Sequence, residues 1–439
     1  MPCDHHVTTA NPILRRPYPL YLPGPAFVTA AVLSILMFSY VDGTNQYPKF
    51  VVTALCAVFG FHIIVSRRKL YVPAEYRVVG TWVLFCALSA FAALDPNLAF
   101  DKLMTLVTVI PMSFVLMHFV LWYRAPRSIW AGVIIGALLM CYLAARAGPI
   151  EPTDERLTAT AGNANTLGYV LVVACVLLVH AMFSVRSLVL KAGTVVLAAV
   201  IVYVIPLTGS KQALISLFIA AAAYMALKID FKSARQVVRS FAVITMFLCA
   251  LTAALFYFER TAYFDRLLDF RDAAIAGKLD ESGRTGESTK NRYLFYVNGI
   301  DMAAHNPAVG VGLDNFRLAI TEYPGFRGLR MGAYAHSNYI EVLADTGFIG
   351  FMLYFAMYVV LARRLLRLRK MALRGPDRQF YHVLTVLFCV ILVSDLAMVS
   401  YYDKIAWIVL SSTIGGAFLL ERRLRAAAEN ETDPRPAVH

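Results

Sequence analysis

Roughly a dozen apolar runs, each close to the 20 or so helical residues that cross a hydrocarbon core, decide what this chain can fold into. In lipid every backbone N–H and C=O needs an internal partner, which leaves helices or a closed barrel. A barrel strand would show about ten residues of alternating polarity, whereas these runs are continuous. They lie at 25–41, 47–66, 76–94, 102–122, 128–146, 165–184, 187–206, 211–228, 236–258, 338–361, 379–401 and 404–420. The expected fold is an all-α polytopic integral membrane protein with about 12 transmembrane helices. No small-residue cleavage site follows the first run, so it reads as a span and not as a signal peptide.

A net charge of +13 invites a nucleic-acid reading, but the basic residues are sorted by loop. They gather at Arg15 and Arg16, at Arg67, Arg68 and Lys69, at Arg124 and Arg127, and at Lys228, Lys232, Arg235 and Arg239. The richest cluster runs from Arg363 to Arg378, and Arg422, Arg423 and Arg425 follow the last span. With Arg186 and Lys191 of the loop near 185–191, these alternate loops, their flanks and the tails hold 25 of the 41 Lys and Arg residues. By the positive-inside rule they are cytoplasmic, and no nucleic-acid partner is needed to explain the charge. The expected organisation is a cytoplasmic tail at 1–24, helices one to nine over 25–258, a large outer loop at 259–337, helices ten to twelve over 338–420, and a second cytoplasmic tail at 421–439. The seven cysteines form no Cys-x-x-Cys or Cys/His cluster, so neither a disulfide framework nor a zinc site is indicated.

Polar residues at the outer ends of the spans carry the functional signal. Arg146 closes the fifth span, where it either snorkels or binds an anion. Ser210 and Lys211 begin the eighth span directly after Pro206-Leu-Thr-Gly209. A lysine there opposes the helix dipole, and a bound anion would account for it. Segment 259–335 is too polar to span and too long for a plain connection. A helix is expected from about Thr289 to Ala304, capped by Ser288, with Arg292, Phe295, Tyr296, Gly299 and Ala303 on one face. That mixture suits a helix lying on the bilayer with its cation towards a headgroup. Gly310-x-Gly312 is a tight turn without the strand context of a dinucleotide site. Asp395, inside an apolar run, should be paired within the bundle.

The stretch 335–350, Ala-His-Ser-Asn-Tyr-Ile-Glu-Val-Leu-Ala-Asp-Thr-Gly-Phe-Ile-Gly, stands at the outer edge of the tenth span. Asn338 and Glu341 read as a capping pair that starts a helix near Tyr339. His336 then precedes a helix N-terminus, which favours a neutral ring able to accept a proton. Gly347 and Gly350 would let a neighbouring helix approach closely, and capping or solvation would occupy Glu341 and Asp345. One histidine with Lys211, Arg146 and Arg292, and no metal-like carboxylate set, suits a lipid diphosphate substrate.

Two motifs then carry a family resemblance. Asn306-Pro307-x-x-Gly310-x-Gly312-x-x-Asn315-Phe316 and Ala335-His336-Ser337-Asn338-Tyr339-x-Glu341, continued by Gly347-x-x-Gly350, resemble the signature of the O-antigen ligase and O-antigen polymerase superfamily. Thr208-Gly-Ser210-Lys211 is similar to the family's Ser-Arg/Lys turn. An outer Arg-x-x-x-Leu element of some ligases has no match, and Arg292 followed by Tyr296 is the nearest substitute, which leaves the polymerase open.

The resemblance implies a GT-C-type glycosyltransferase in the inner membrane of a Gram-negative bacterium, with its active site on the periplasmic face. The donor would be O-antigen on undecaprenyl diphosphate and the acceptor lipid A–core oligosaccharide, with no cofactor and no metal. His336 would be the catalytic base; Lys211, Arg146 and Arg292 would hold the diphosphate; Ser210, Asn338, Glu341 and Asn315 would support the site. A polymerase or a protein O-oligosaccharyltransferase would differ in acceptor. A transporter, the rival from another class, would show discontinuous helices and polar sites near mid-membrane.

Overall fold

The computed structural model describes residues 24–39, 47–67, 69–123, 126–147, 163–228, 238, 283–324, 326, 333–371 and 373–432. The expected ninth span, most of the first tail, the segment 148–162 and the first part of the large loop lie outside the described residues. Twelve main helices follow in order: α1 Pro25–Phe38, α2 Tyr47–Ser66, α3 Ala74–Ser89, α4 Pro96–Tyr123, α5 Arg127–Ala147, α6 Ala164–Ser184, α7 Leu188–Leu207, α8 Lys211–Lys228, α9 Gly283–His305, α10 Asn338–Lys370, α11 Gly375–Ser394 and α12 Lys404–Thr432. Ten of them are long and apolar enough to cross a membrane; α1 is shorter, and α9 is not one of the ten. The protein is a multi-pass helical membrane protein.

Local signals start several helices where the sequence places them. The Asn163 side chain accepts from the Asn165 N–H (2.7 Å) at the head of α6, and Ser187 caps α7. Proline stands in the first turn of α1 and of α11, where no helical N–H is lost. Two helices overrun their expected ends. α10 continues to Lys370 and α12 to Thr432, and in the overrun of α10 Arg364 has partners inside the bundle. Its guanidinium donates to both oxygens of Glu75 on α3 (2.7 and 3.0 Å) and to Glu421 on α12. A buried charge must be paired, and this cluster ties α3, α10 and α12 together.

At the opposite end a smaller apolar core of Phe295, Met302, Phe316, Ile320, Phe326, Ala335 and Ala344 caps the bundle. It is built between α9, the head of α10 and a short helical turn at Phe316–Ala319. The α9 face that carries Phe295, Gly299 and Ala303 packs on α10 and is not the bilayer-facing surface expected for it. A Cβ at Gly299 would lie 2.4 Å from Ile340 Cγ2, so only glycine allows that approach.

Candidate functional site

α10 begins one residue earlier than expected, and its polar residues serve other purposes. Ser337 is the N-cap in extended backbone, but its hydroxyl does not cap the helix. Asn338 is fully buried and braces the turn between α11 and α12. Its Oδ1 accepts from the Ser400 and Tyr401 N–H groups (3.1 and 3.0 Å), and its Nδ2 donates to Asp395 Oδ2 (3.1 Å). Asp395 also accepts from the Tyr358 hydroxyl (2.8 Å) and the Ser400 hydroxyl (2.6 Å), the pairing that a carboxylate in the bundle interior requires. Glu341 reaches back past the cap: its Oε2 accepts from the Ala335 N–H at 2.6 Å. Glu341 and Asp345 are 0% exposed, so neither is solvated as expected.

The helix then breaks. Gly347 has φ 64° and ψ −171°, and a loop, not a second helix, fills the space against it. The break leaves the Ala344 and Asp345 carbonyls without helical donors, and the N–H groups of Val311 and Gly312 take them at 2.9 Å each. The Phe348 N–H in turn donates to the Pro307 carbonyl (2.7 Å). Asp345 completes the seat by accepting from the Asp314 and Phe316 N–H groups (both 2.8 Å) and the Tyr401 hydroxyl (3.1 Å). Asn315, also buried, joins this loop to the one before α4: its Oδ1 accepts from the Asp95 N–H (2.7 Å) and its Nδ2 donates to the Asp95 carbonyl (3.1 Å). Gly350, unlike Gly347, faces a helix as expected, with Phe85 of α3 within 2.8 Å of where its Cβ would be.

His336 stands on this platform in the left-handed region, φ 53°. A non-glycine residue held there costs free energy that the surroundings must supply, and such strain concentrates at working sites. The neighbours that impose it are buried: Ala335 is held by Glu341, and the next residues are fixed to the Asp395 turn. The half-buried imidazole lies 6.1 Å from the Phe295 ring of α9. Burial first, and the Arg292 charge second, push its pKa below the ordinary histidine value. Among the described residues no hydrogen bond occupies its ring nitrogens. A neutral imidazole beside a cation can take a proton.

The remaining candidates stand on three other helices. Arg292 is half-buried on α9, and its charge is the second cause that lowers the proton affinity of His336. Lys211 is the half-buried first residue of α8, and Ser210 before it is structural: its hydroxyl donates to Asn165 Oδ1 (2.8 Å) and accepts from the Ala213 N–H (3.2 Å). Arg146 is exposed at the end of α5 and its Nε donates to Tyr142, one turn back on the same helix (3.1 Å). Among the described residues no group of three or more His, Cys, Asp or Glu side chains is spaced to hold a metal.

Sequence reasoning missed a set on the same face: Lys102, Asp314, Arg317, Tyr334 and Tyr402. Lys102 Nζ pairs with buried Asp314 (3.0 Å), which also accepts from Arg317 (2.7 Å). The only signal was Asp314 inside the Asp-Asn-Phe element, and Lys102 is too remote in sequence to be joined to it. No curated protein matches the chain. The family model described as O-antigen ligase matches residues 194–355, a stretch that contains Lys211, Arg292, Asn315, His336, Asn338 and Glu341 but not Arg146. Over that stretch the chain is similar to the O-antigen ligase family, which supports the resemblance its motifs carry to the O-antigen ligase/polymerase superfamily.

Proposed function

We propose that the protein is an O-antigen ligase: a GT-C-type inverting glycosyltransferase of the inner membrane that acts at its periplasmic face. It moves O-antigen from undecaprenyl diphosphate to lipid A–core oligosaccharide. The observation that carries the reading is His336, held in a left-handed backbone with its proton affinity lowered by burial and by Arg292, inside the segment that the ligase family model matches.

The chemistry follows from these groups. The acceptor hydroxyl is a poor nucleophile, so neutral His336 takes its proton as the oxygen attacks the anomeric carbon. The bond from that carbon to the phosphate oxygen breaks as the new glycosidic bond forms. Undecaprenyl diphosphate leaves with the extra negative charge, which Arg292 and Lys211 stabilise, with Arg146 assisting from the end of α5. A retaining route would need a free carboxylate nucleophile at the anomeric carbon. Asp345 already accepts three hydrogen bonds and Glu341 is fully buried against Ala335, which favours a single inverting displacement. The α10 break does not favour a transporter, because the loop at 307–312 takes up the freed backbone groups.

The test is reconstitution. Purified protein in proteoliposomes receives lipid-linked O-antigen and lipid A–core. Glycan should appear on lipid A–core with inverted anomeric configuration. Extension of one lipid-linked repeat by another, with lipid A–core untouched, would assign the polymerase activity instead.

A further inference from the structure

α10 carries one exposed stripe that runs unbroken into its last turn. Met352, Val359, Arg363, Leu366, Arg367 and Lys370 recur at spacings of three, four and seven residues, which sets them on one face. All six are exposed, the apolar ones at 45%, 49% and 57%, while Leu361, Arg364 and Leu368 on the other side are buried. The stripe changes character along its length. Its first part is apolar and its last two turns are cationic, with Leu366 set among the charges. Met352 and Arg363 are about 16 Å apart along the axis, close to one leaflet of a hydrocarbon core roughly 30 Å thick. The charged end cannot swing, because Arg364 on the buried face ties it to Glu75 of α3 and Glu421 of α12.

The carboxylates at this end are already engaged. Glu75 takes both its bonds from Arg364, Asp377 takes Arg423, and Glu421 takes Arg364 and Arg425. Arg367 stands 3.9 Å from Glu421, too far for a hydrogen bond. Arg363 and Lys370 have no carboxylate within ion-pair reach among the described residues. Three cations on one face without counter-ions repel one another, and a bound anion relieves that. Positive-inside sorting accounts for basic residues at this end, but not for their register with an exposed apolar stripe. A ligand with both parts at this spacing is a phospholipid: acyl chains along a stripe of leaflet length, and an anionic headgroup at the cations. We propose that Met352, Val359 and Leu366 with Arg363, Arg367 and Lys370 form a binding surface for an anionic phospholipid. A zwitterionic lipid would bring an ammonium against the same cations and bind less well. The surface lies at the end of α10 remote from His336 and does not depend on the reaction there.

The test is native mass spectrometry of the full-length protein, titrated in detergent with phosphatidylglycerol or phosphatidylcholine of identical acyl chains. Wild type should bind phosphatidylglycerol about tenfold more tightly than phosphatidylcholine. Arg363→Gln with Lys370→Gln should bring phosphatidylglycerol down to the phosphatidylcholine level, a loss of about tenfold, with phosphatidylcholine moved less than about twofold. Arg369→Gln with Arg374→Gln removes two exposed charges from the same end but off the stripe, and should cost less than about threefold. Arg363→Lys with Lys370→Arg keeps both charges and should bind like wild type. Neither glutamine pair touches the Arg364–Glu75–Glu421 cluster, and melting of each variant checks its fold. Equal binding of the two lipids by wild type would overturn the proposal. So would equal losses in the two glutamine pairs, which would mean a diffuse field and no site. Displacement of the lipid by millimolar inorganic phosphate would show that an anion without tails suffices, and would overturn it as well. A dimer in the same spectra that Arg363→Gln with Lys370→Gln dissociates would give the stripe to a second copy of the chain and not to lipid.

Discussion

Gly347→Ala tests whether the break in α10 builds the site. The backbone there, φ 64° and ψ −171°, belongs to a region that only glycine enters readily, which costs about 1–3 kcal/mol for alanine. A new Cβ would also lie 2.7 Å from the Gly310 nitrogen and 2.8 Å from the Ala308 carbonyl carbon and the Pro307 oxygen. All three are backbone atoms and cannot rotate away, so overpacking adds roughly 1–3 kcal/mol. The sum, about 2–6 kcal/mol, is large beside the stability of a typical domain. The 307–312 loop would be pushed off the Ala344 and Asp345 carbonyls, and the Asp345 contacts to Asp314 and Phe316 would loosen with it. Melting of purified protein in detergent should fall by at least about 4 °C, at roughly 2 °C per kcal/mol for a large chain. Glycan transfer should fall at least tenfold, by the same order of free energy. Gly80→Ala is the control, since its Cβ would meet nothing within 4 Å. If Gly347→Ala melts and transfers like wild type, the break does not position the site.

The depressed His336 pKa gives transfer an acid limb below the ordinary histidine range: the neutral base persists as pH falls and is lost only through the lowered value. Arg292→Gln removes one of the two causes, so the limb in a pH–rate profile should move to higher pH; a stationary limb would mean that another group titrates. Lys211→Ala should slow transfer roughly 10- to 150-fold through loss of a charge-assisted contact worth about 1.5–3 kcal/mol, measured as turnover at saturating donor. Arg146→Ala should cost less, because that guanidinium is exposed and held by Tyr142. In a cysteine-free background, Pro324→Cys should react with an impermeant thiol reagent in spheroplasts and Arg374→Cys should not; the reverse pattern would put the site in the cytoplasm.

How much of this was legible from sequence depends on whether the physics is local. Spans at 47–66 and 211–228 coincide with α2 and α8 because hydropathy and length are read along one segment. His336 before a helix N-terminus was legible for the same reason. The Arg364–Glu75 pair in the overrun of α10 was not, because it joins residues 289 positions apart. Gly347 is the instructive miss: a glycine in an apolar helix reads as a packing position, and only the loop at 307–310 shows that it is a break. Glu341 and Asp345 read as capping or solvated carboxylates at a helix head; Glu341 does take a backbone N–H just ahead of the helix, but the Asp345 partners come from a loop no local rule would bring there. Lys102 and Asp314 were likewise invisible as a pair.

The central claim is that His336 is the general base, and His336→Gln tests it most directly. Glutamine keeps a polar side chain of similar reach but cannot take up a proton at neutral pH. The measurement is single-turnover transfer in proteoliposomes with saturating lipid-linked O-antigen and lipid A–core, alongside donor binding. Turnover should fall by about two to four orders of magnitude, the usual contribution of a positioned base. Donor binding should stay near wild type, because the proposed diphosphate contacts are Arg292 and Lys211. If His336→Gln keeps more than about a tenth of wild-type turnover, the loss is under roughly 1.4 kcal/mol. That is too little for a base, and the strained histidine would then serve position and not proton transfer.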